Sequence, residues 1–502
     1  MRPAIPVGAA GPAEMTRRDH AIALTVILGM TLLLPIVFHL NPRTIDHFLT
    51  TRYAHDLQAG SYRPTLWPQS TRFGMLLPLA LLQALLGVNA ASSAALTILA
   101  SLGHVLAVYG LGRVLFSPRT ALGAAAIVAV LPLETIQATL LFPDLPAAGA
   151  AIGGFALLVR EACAEHPRLR FLLLSGALLA VAYLFKQSVV FILLFAAAWA
   201  VAGRRWRLWP VAIPLAITMA VESMVLWRLT GDAFFRHSAS NTFLADMNQR
   251  EYFASSSLIG IAFRFPQLLL NPLNRGFPYL MGLAALFVIA GWPLRREPPV
   301  RFLVAFCGTL FVLATFWPAR LIPYVPALIP DARHLIFLAG PMAVVISEGA
   351  SRRGRRSSLL IGAAFSILCL LSTGFIRTHL DREDAGDRAA WNFLARQGCR
   401  RVRAVDRHGH SSELYAYLSG YSPDVRVLEY RVDDLPELRG EWIVVDDRSR
   451  IGDATGVVWI SGRDLPIPAR WELVWEERFP APWDPRASSR IDEYRVRIFR
   501  AS

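Results

Sequence analysis

Lysine is all but missing: of 51 lysines and arginines, only Lys186 is a lysine. The arginine excess reflects genome composition, so the single lysine marks a position that favours a compact point charge over arginine's planar fork. Cysteine is scarce as well. Cys163, Cys307, Cys369 and Cys399 show no pair spacing, which excludes a disulfide framework or a cysteine-based metal site as the organising feature. The first apolar segment, Ala21 to Leu40, lacks a small-residue cleavage site and is long, so it reads as an anchor and not as a removable signal. There is no convincing internal repeat, and the C-terminal region has no glycine-rich phosphate loop.

Apolar residues are abundant. With 502 residues, 54% of them hydrophobic, and a mean hydropathy of +0.41, the chain has many runs long enough to cross a bilayer and reads as an integral membrane protein. The net charge of +14 does not point to nucleic acid, because the basic residues fall in short clusters between apolar spans, as cytoplasmic loops do. Residues 1–20, ending in Arg17 and Arg18, read as a cytoplasmic tail. Gly74 to Val88 is short and contains Pro78, which suits a re-entrant or interfacial helix. Counting it as non-spanning places Arg113 and Arg119, Arg160 to Arg170, Arg204 to Arg207, Arg295 to Arg301 and Arg352 to Arg356 all on the inner side. About eleven spans then fill a membrane domain over residues 21–376, including single spans at 120–141 and 358–376.

The same assignment gathers polar residues on the outer side. The loop at 41–73 carries Asp46, Asp56, His47, His55 and four arginines. Asp144, Lys186, the loop at 229–276, and Asp331 with Arg333 lie on that side too. Ionisable groups beside or within a membrane are costly and mark function by default. Residues 377–502 have many charges and no span; a helix at Asp387 to Gln397 ending at Gly398, and strands at Arg401 to Asp406, Val425 to Tyr430, Trp442 to Val445, Val457 to Ile460 and Tyr494 to Phe499, predict an extracytoplasmic α/β domain. His408 and His410 read as turn residues there.

Four segments, in order, resemble the GT-C superfamily of polytopic glycosyltransferases, in particular the branch of protein O-mannosyltransferases and lipid A aminoarabinose transferases. Asp46, Ala54, Leu57 and Gly60 keep the register of the family's first outer loop. Arg72, Pro78, Gly87 and Asn89 match a basic residue leading into a proline-containing apolar helix that ends in Gly-x-Asn. LLFPDLPAAG puts Asp144 where the family has an acidic residue at the outer end of a span, and GALLAVAYLFKQS resembles its helix ending in a basic residue at a break. TGDAFFRHS and DARHLIFLAGP are similar to later segments. The sequence departs from the pattern at His47 and Thr50, where the family usually has a second acid and an aromatic residue.

The resemblance implies a mostly α-helical GT-C bundle that moves a sugar, with inversion, from a polyprenyl-phosphate donor to a hydroxyl of a lipid, glycan or protein acceptor at the outer face of a bacterial inner membrane. It casts Asp46 as the base, Asp144 as a second active-site acid, and Lys186, Arg72 and Arg333 as the groups that hold the leaving phosphate. Bland readings stand beside these. Asp46 could cap a loop, Asp144 could be a helix cap, Lys186 could snorkel to the interface, and the arginines could meet lipid headgroups. Tyr62 and Trp67 could stack on sugar faces. His55 and Asp56 could support a divalent metal, although one histidine and one carboxylate do not complete a site. The rival class is a transporter or flippase of lipid-linked glycans, which calls for repeats and a polar path through the bilayer.

Overall fold

Runs of Leu, Ala, Val and Ile without a recurrent polar face form helices that are apolar all round, and such helices need either a protein core or lipid around them. A computed structural model of the chain describes residues 16–40, 42, 44–251, 260, 262–263, 265–266, 278–320, 325–326, 331–353, 355–404, 410–421, 424, 426–428, 440–446, 450–452, 459–461, 464–465, 467–480 and 493–501. Two compact units emerge, one of Met1–His39 with Tyr53–Gly374, the other of Leu40–Arg52 with Phe375–Ser502.

In chain order the helices are α1 (Arg17–Val37), α2 (Ile45–Gln58), α3 (Phe73–Leu86), α4 (Ala90–Leu115), α5 (Pro118–Val130), α6 (Pro132–Gln137), α7 (Asp144–Cys163) and α8 (Leu169–Phe185). They continue as α9 (Val190–Ala202), α10 (Ala212–Thr230), α11 (Phe235–Glu251), α12 (Pro278–Leu294), α13 (Pro298–Phe316) and α14 (Ile336–Ser351). A short antiparallel ribbon, β1 (Pro318–Arg320) with β2 (Val325–Pro326), precedes α14. Among the described residues, seven helices are long and apolar enough to cross a membrane, and five shorter apolar helices accompany them. Leu33, Ile36, Leu81 and Leu85 are more than half exposed, an arrangement that suits a hydrocarbon surround and not water.

Within the first unit α7 is mostly buried. It packs against α4 and α8, and Ser175 Oγ donates to the Gly154 carbonyl at 2.7 Å, joining α8 to α7 by a polar contact inside the bundle. The span expected at 120–141 is interrupted. Leu131 is extended (ψ 131°) before Pro132, because a residue preceding proline is driven out of the helical region, and the chain resumes as the single turn pair of α6. α6 is held to α4 by Ser101 Oγ and His104 Nδ1, which bond the two oxygens of buried Glu134 at 2.6 and 2.7 Å.

The second unit corrects the other helix boundary. The span expected at 358–376 and the helix expected at 387–397 are one helix, α15 (Arg355–Arg396), of 42 residues. Nothing between them breaks a helix: the segment RTHLDREDAG has no proline, and arginine and glutamate are good helix formers. Gly386 is tolerated because the Tyr494 and Val496 side chains lie where its Cβ would be, within 2.7 Å, and the Tyr494 hydroxyl accepts its N–H at 3.0 Å. Helical structure ends at Gly398, whose φ of +65° fits the cap signal.

After it come β3 (Arg401–Arg403), α16 (His410–Leu418), β4 (Arg426–Leu428), β5 (Trp442–Asp446), β6 (Arg450–Gly452), β7 (Trp459–Ser461), β8 (Trp471–Pro480) and β9 (Glu493–Ala501). A five-stranded sheet runs β4-β3-β5-β9-β8, parallel over its first two pairs and antiparallel over the last two. Trp391, Leu394, Tyr415, Val402, Val496 and Ile498 form a core on one face, and Phe48 of α2 joins it. Arg52, one turn on from Phe48, donates to Glu413 of α16 at 2.5 Å. β7 pairs with β6 in a separate ribbon and is not part of the main sheet, and His410 opens α16 where a turn was expected. His408 lies outside the described residues.

Cys399 gives this unit a simple check. The residue is 7% exposed, and burial pushes its thiol up to about 11, so the thiol stays protonated at pH 8. Iodoacetamide at pH 8 is expected to leave Cys399 unmodified in the folded protein and to label it fully in denaturant, as read by peptide mass spectrometry; rapid labelling of the folded form would contradict this packing.

Candidate active site

Three helix ends bring the site together. α8 is apolar over its last turns and stops at Lys186, whose extended backbone (φ −151°, ψ 128°) separates it from the turn Gln187–Val189 and α9. α7 starts at Asp144 and tolerates Pro146 because proline in a first turn removes no intrahelical bond. α14 is preceded by the turn Ala332–Leu335, whose cap is Asp331: its Oδ1 accepts the Arg333 N–H at 2.9 Å.

Asp144, 1% exposed, does not cap its own helix. Its Oδ1 accepts from Lys186 Nζ, and His334 Nδ1 stands 2.8 Å from the same Nζ and 3.1 Å from that Oδ1. A lysine has three donors, so Lys186 can donate to Asp144 and, in the tautomer with the proton on Nε2, to His334 Nδ1 as well; with the proton on Nδ1, His334 donates to Asp144 instead. Lys186 is 11% exposed at its side chain and His334 7%, so the lysine does not snorkel into open solvent. The second carboxylate oxygen of Asp144, Oδ2, is buried without a hydrogen-bond partner in the protein. A buried oxygen in that state calls for a water or a ligand.

Two arginines surround this cluster. Arg333 lays its guanidinium over the Phe142 ring, 4.8 Å from the centroid, with Nε 3.4 Å from Asp331 Oδ2. Arg72 stands between the buried turn Pro68–Thr71 and α3. The charges of both act on Lys186. Lys186, Arg72 and Arg333 thus set three cations about the buried Asp144 carboxylate, with Asp331 beside Arg333, and clustered cations attract an anion. α3 approaches closely at Gly74, where a Cβ would sit 2.7 Å from the Phe185 amide and 2.8 Å from the Leu184 carbonyl carbon. Only glycine lets the segment carrying Arg72 lie against the end of α8.

An apolar groove of about 980 Å³ runs between α4, α7 and α8. It starts at Pro146 and Phe185, next in sequence to the Asp144 and Lys186 region, and is floored by Gly103, Ala107, Gly149 and Gly153.

Asp46 sits in the first turn of α2 and belongs to the second unit; its carbonyl accepts Thr50 Oγ1 at 2.6 Å. A carboxylate in a first turn suits the positive end of the helix dipole. His55 and Asp56 occupy adjacent positions later in α2, in the first unit. Among the described residues no group of three metal-type side chains forms. The Tyr62 hydroxyl donates to the Ser70 carbonyl, and its ring meets Tyr53 and Phe73 edge-on at 6.4 and 6.2 Å; burial raises its phenol above the ordinary range. Trp67 packs on Phe243 of α11 at 4.9 Å. In the loop at 229–276, Tyr252 and Phe253 lie outside the described residues. His334 was missed by sequence reasoning. Its signal was available, as a histidine at the start of an apolar helix is a functional position by default.

The fold has known counterparts. The structure of ArnT from Cupriavidus metallidurans bound to undecaprenyl phosphate superposes with a TM-score of 0.56 at 13% identity, over 86% of this chain and 93% of that one. This chain has a GT-C fold. The apo form of the same ArnT matches with a TM-score of 0.57 at 13% identity, over 84% of this chain and 93% of that one. The archaeal oligosaccharyltransferase AglB from Archaeoglobus fulgidus, in complex with an inhibitory peptide and a dolichol-phosphate, matches with a TM-score of 0.50 at 11% identity, over 81% of this chain and 64% of that one. In sequence, the dolichyl-phosphate-mannose-protein mannosyltransferase family matches residues 75–208, the part of this chain that contains Asp144 and Lys186. No curated protein matches it by sequence. The resemblance read from the ordered segments is thus met by both the fold and the family match.

Proposed function

We propose that the protein is a membrane glycosyltransferase that moves a sugar from a polyprenyl-phosphate donor to a hydroxyl of a cell-envelope acceptor, with inversion, at the outer face of a bacterial inner membrane. The observation that carries this reading is the buried Asp144–Lys186–His334 cluster, with Arg72 and Arg333 acting on it, beside an apolar groove. A lipid phosphate asks for that combination: cations for the phosphate as it departs, and a greasy channel for the chain behind it. Lys186, as a mobile point charge, can turn from Asp144 toward a phosphate oxygen, and buried Asp144 Oδ2 has hydrogen-bonding capacity left for a hydroxyl. Asp46 takes the acceptor's proton as the oxygen attacks the anomeric carbon, and the bond to the lipid phosphate breaks on the opposite face. Residues 377–502, in this reading, form a domain on the same outer side. The wider likeness to ArnT and AglB, solved with undecaprenyl phosphate and a dolichol-phosphate respectively, supports the donor class.

The test is transfer of label in membranes supplied with a panel of radiolabelled polyprenyl-phosphate sugars and extracted envelope acceptors. Incorporation from one lipid-linked donor is expected. Incorporation directly from a nucleotide sugar, with none from any lipid-linked donor, would overturn the donor assignment.

A further inference from the structure

The end of α8 leaves carbonyls behind. Its last regular bond is from the Lys186 N–H to the Ala182 carbonyl at 3.0 Å, and the extended backbone at Lys186 removes the next amides from reach of the Tyr183 and Leu184 carbonyls. In a membrane protein such groups must be satisfied internally. Arg236 satisfies them. One guanidinium nitrogen, Nη2, donates to the Tyr183 carbonyl at 2.7 Å and to the Leu184 carbonyl at 3.3 Å, while Nη1 donates to Glu222 Oε1 at 2.5 Å. The guanidinium also lies over the Tyr183 ring, 4.7 Å from its centroid. The pair is almost completely buried, at 4% for Arg236 and 5% for Glu222.

Local sequence explains how these two meet. α10 ends at Gly231 in the left-handed region, φ +78°, and Asp232 Oδ1 accepts the Phe234 N–H at 2.8 Å to start the return. Arg236, in the first turn of α11, is thereby folded back onto Glu222 of α10. The Gly74 backbone also lies against the Leu184 to Phe185 peptide.

We infer that Arg236, oriented by Glu222, is a positioning residue that caps the broken end of α8 and so fixes Lys186 in register with Asp144 and His334. It touches neither Lys186's ammonium nor Asp144; it acts through the two carbonyls immediately ahead of the lysine. A planar fork with several donors is required, since an ammonium at the end of a lysine cannot hold two carbonyls and a carboxylate in one plane. The role in catalysis rests on the function proposed above, but the cap itself does not.

The experiment uses full-length protein in detergent, comparing wild type with Arg236→Ala, Arg236→Lys and Glu222→Gln. Hydrogen exchange by mass spectrometry should show about tenfold faster exchange confined to the peptide covering residues 182–190 in Arg236→Ala, and a smaller, equally local rise in the other two. Polyprenyl-phosphate binding should weaken and kcat/KM for the lipid-linked donor should fall by about a hundredfold in Arg236→Ala, with the acceptor's KM unchanged. Unchanged exchange at 182–190 would overturn the cap. Faster local exchange with undiminished donor binding would overturn the positioning role. If Arg236→Ala does not fold, the lysine variant carries the same comparison, because it keeps the charge and most of the volume. Wild-type protein that binds no polyprenyl phosphate at all would instead count against the function, leaving the exchange result to judge the cap alone.

Discussion

Asp46→Asn is expected to lower kcat for sugar transfer by about 10²–10⁴-fold while leaving donor binding and expression unchanged. The amide has the size of the carboxylate but cannot take a proton from the acceptor hydroxyl. It is also tolerated at a helix start, where Asp46 sits in the first turn of α2, so a loss of activity would not come from loss of the helix. Steady-state kinetics with saturating lipid donor, run beside a binding measurement with polyprenyl phosphate, separates the two effects. Wild-type turnover in the variant at normal expression would remove Asp46 from the mechanism.

Lys186 carries the second large effect. Replacing it by Met leaves the carboxylate of Asp144 buried and without its cation, which is expected to destabilise the protein by about 3–5 kcal/mol and to cost about 10²–10³-fold in transfer. A merely structural pair and a functional one part company in the double variant. Lys186→Met with Asp144→Leu removes both charges together, so stability should recover much of its loss, as apolar replacements of buried ion pairs commonly do. Activity should not recover, because the phosphate has lost its point charge. Thermal unfolding in detergent and the transfer assay, run on the two single variants and the double, make the cycle complete. A double variant as active as wild type would show that the lysine is only Asp144's partner.

Lys186 was legible in the sequence for a compositional reason: it is the one lysine among 51 basic residues, at the end of an apolar run. Asp144 was legible as an acid at a span boundary. Their bond was not, since they are 42 residues apart and helix periodicity describes faces, not which helix ends meet. His334 and Arg236 were hidden for the same reason, their partners in the cluster and the cap lying on other helices. Among the strands, β8 escaped because charged residues and a register shift between Leu473 and Trp475 interrupt its alternation. The proline signal at Pro132, by contrast, was present and sufficed to break the expected span at 120–141, and the absence of any such signal between 377 and 386 allowed α15 to continue.

The claim on which the rest depends is that sugar leaves the lipid, as distinct from crossing the membrane with it. Purified protein in vesicles, given polyprenyl phosphate carrying a labelled sugar together with acceptor, allows both products to be counted in one experiment. One free polyprenyl phosphate released for each sugar found on acceptor, with both lost in Asp46→Asn, is the predicted result. Label that stays on the lipid and appears intact on the far side of the vesicle membrane would contradict the account and make the protein a transporter.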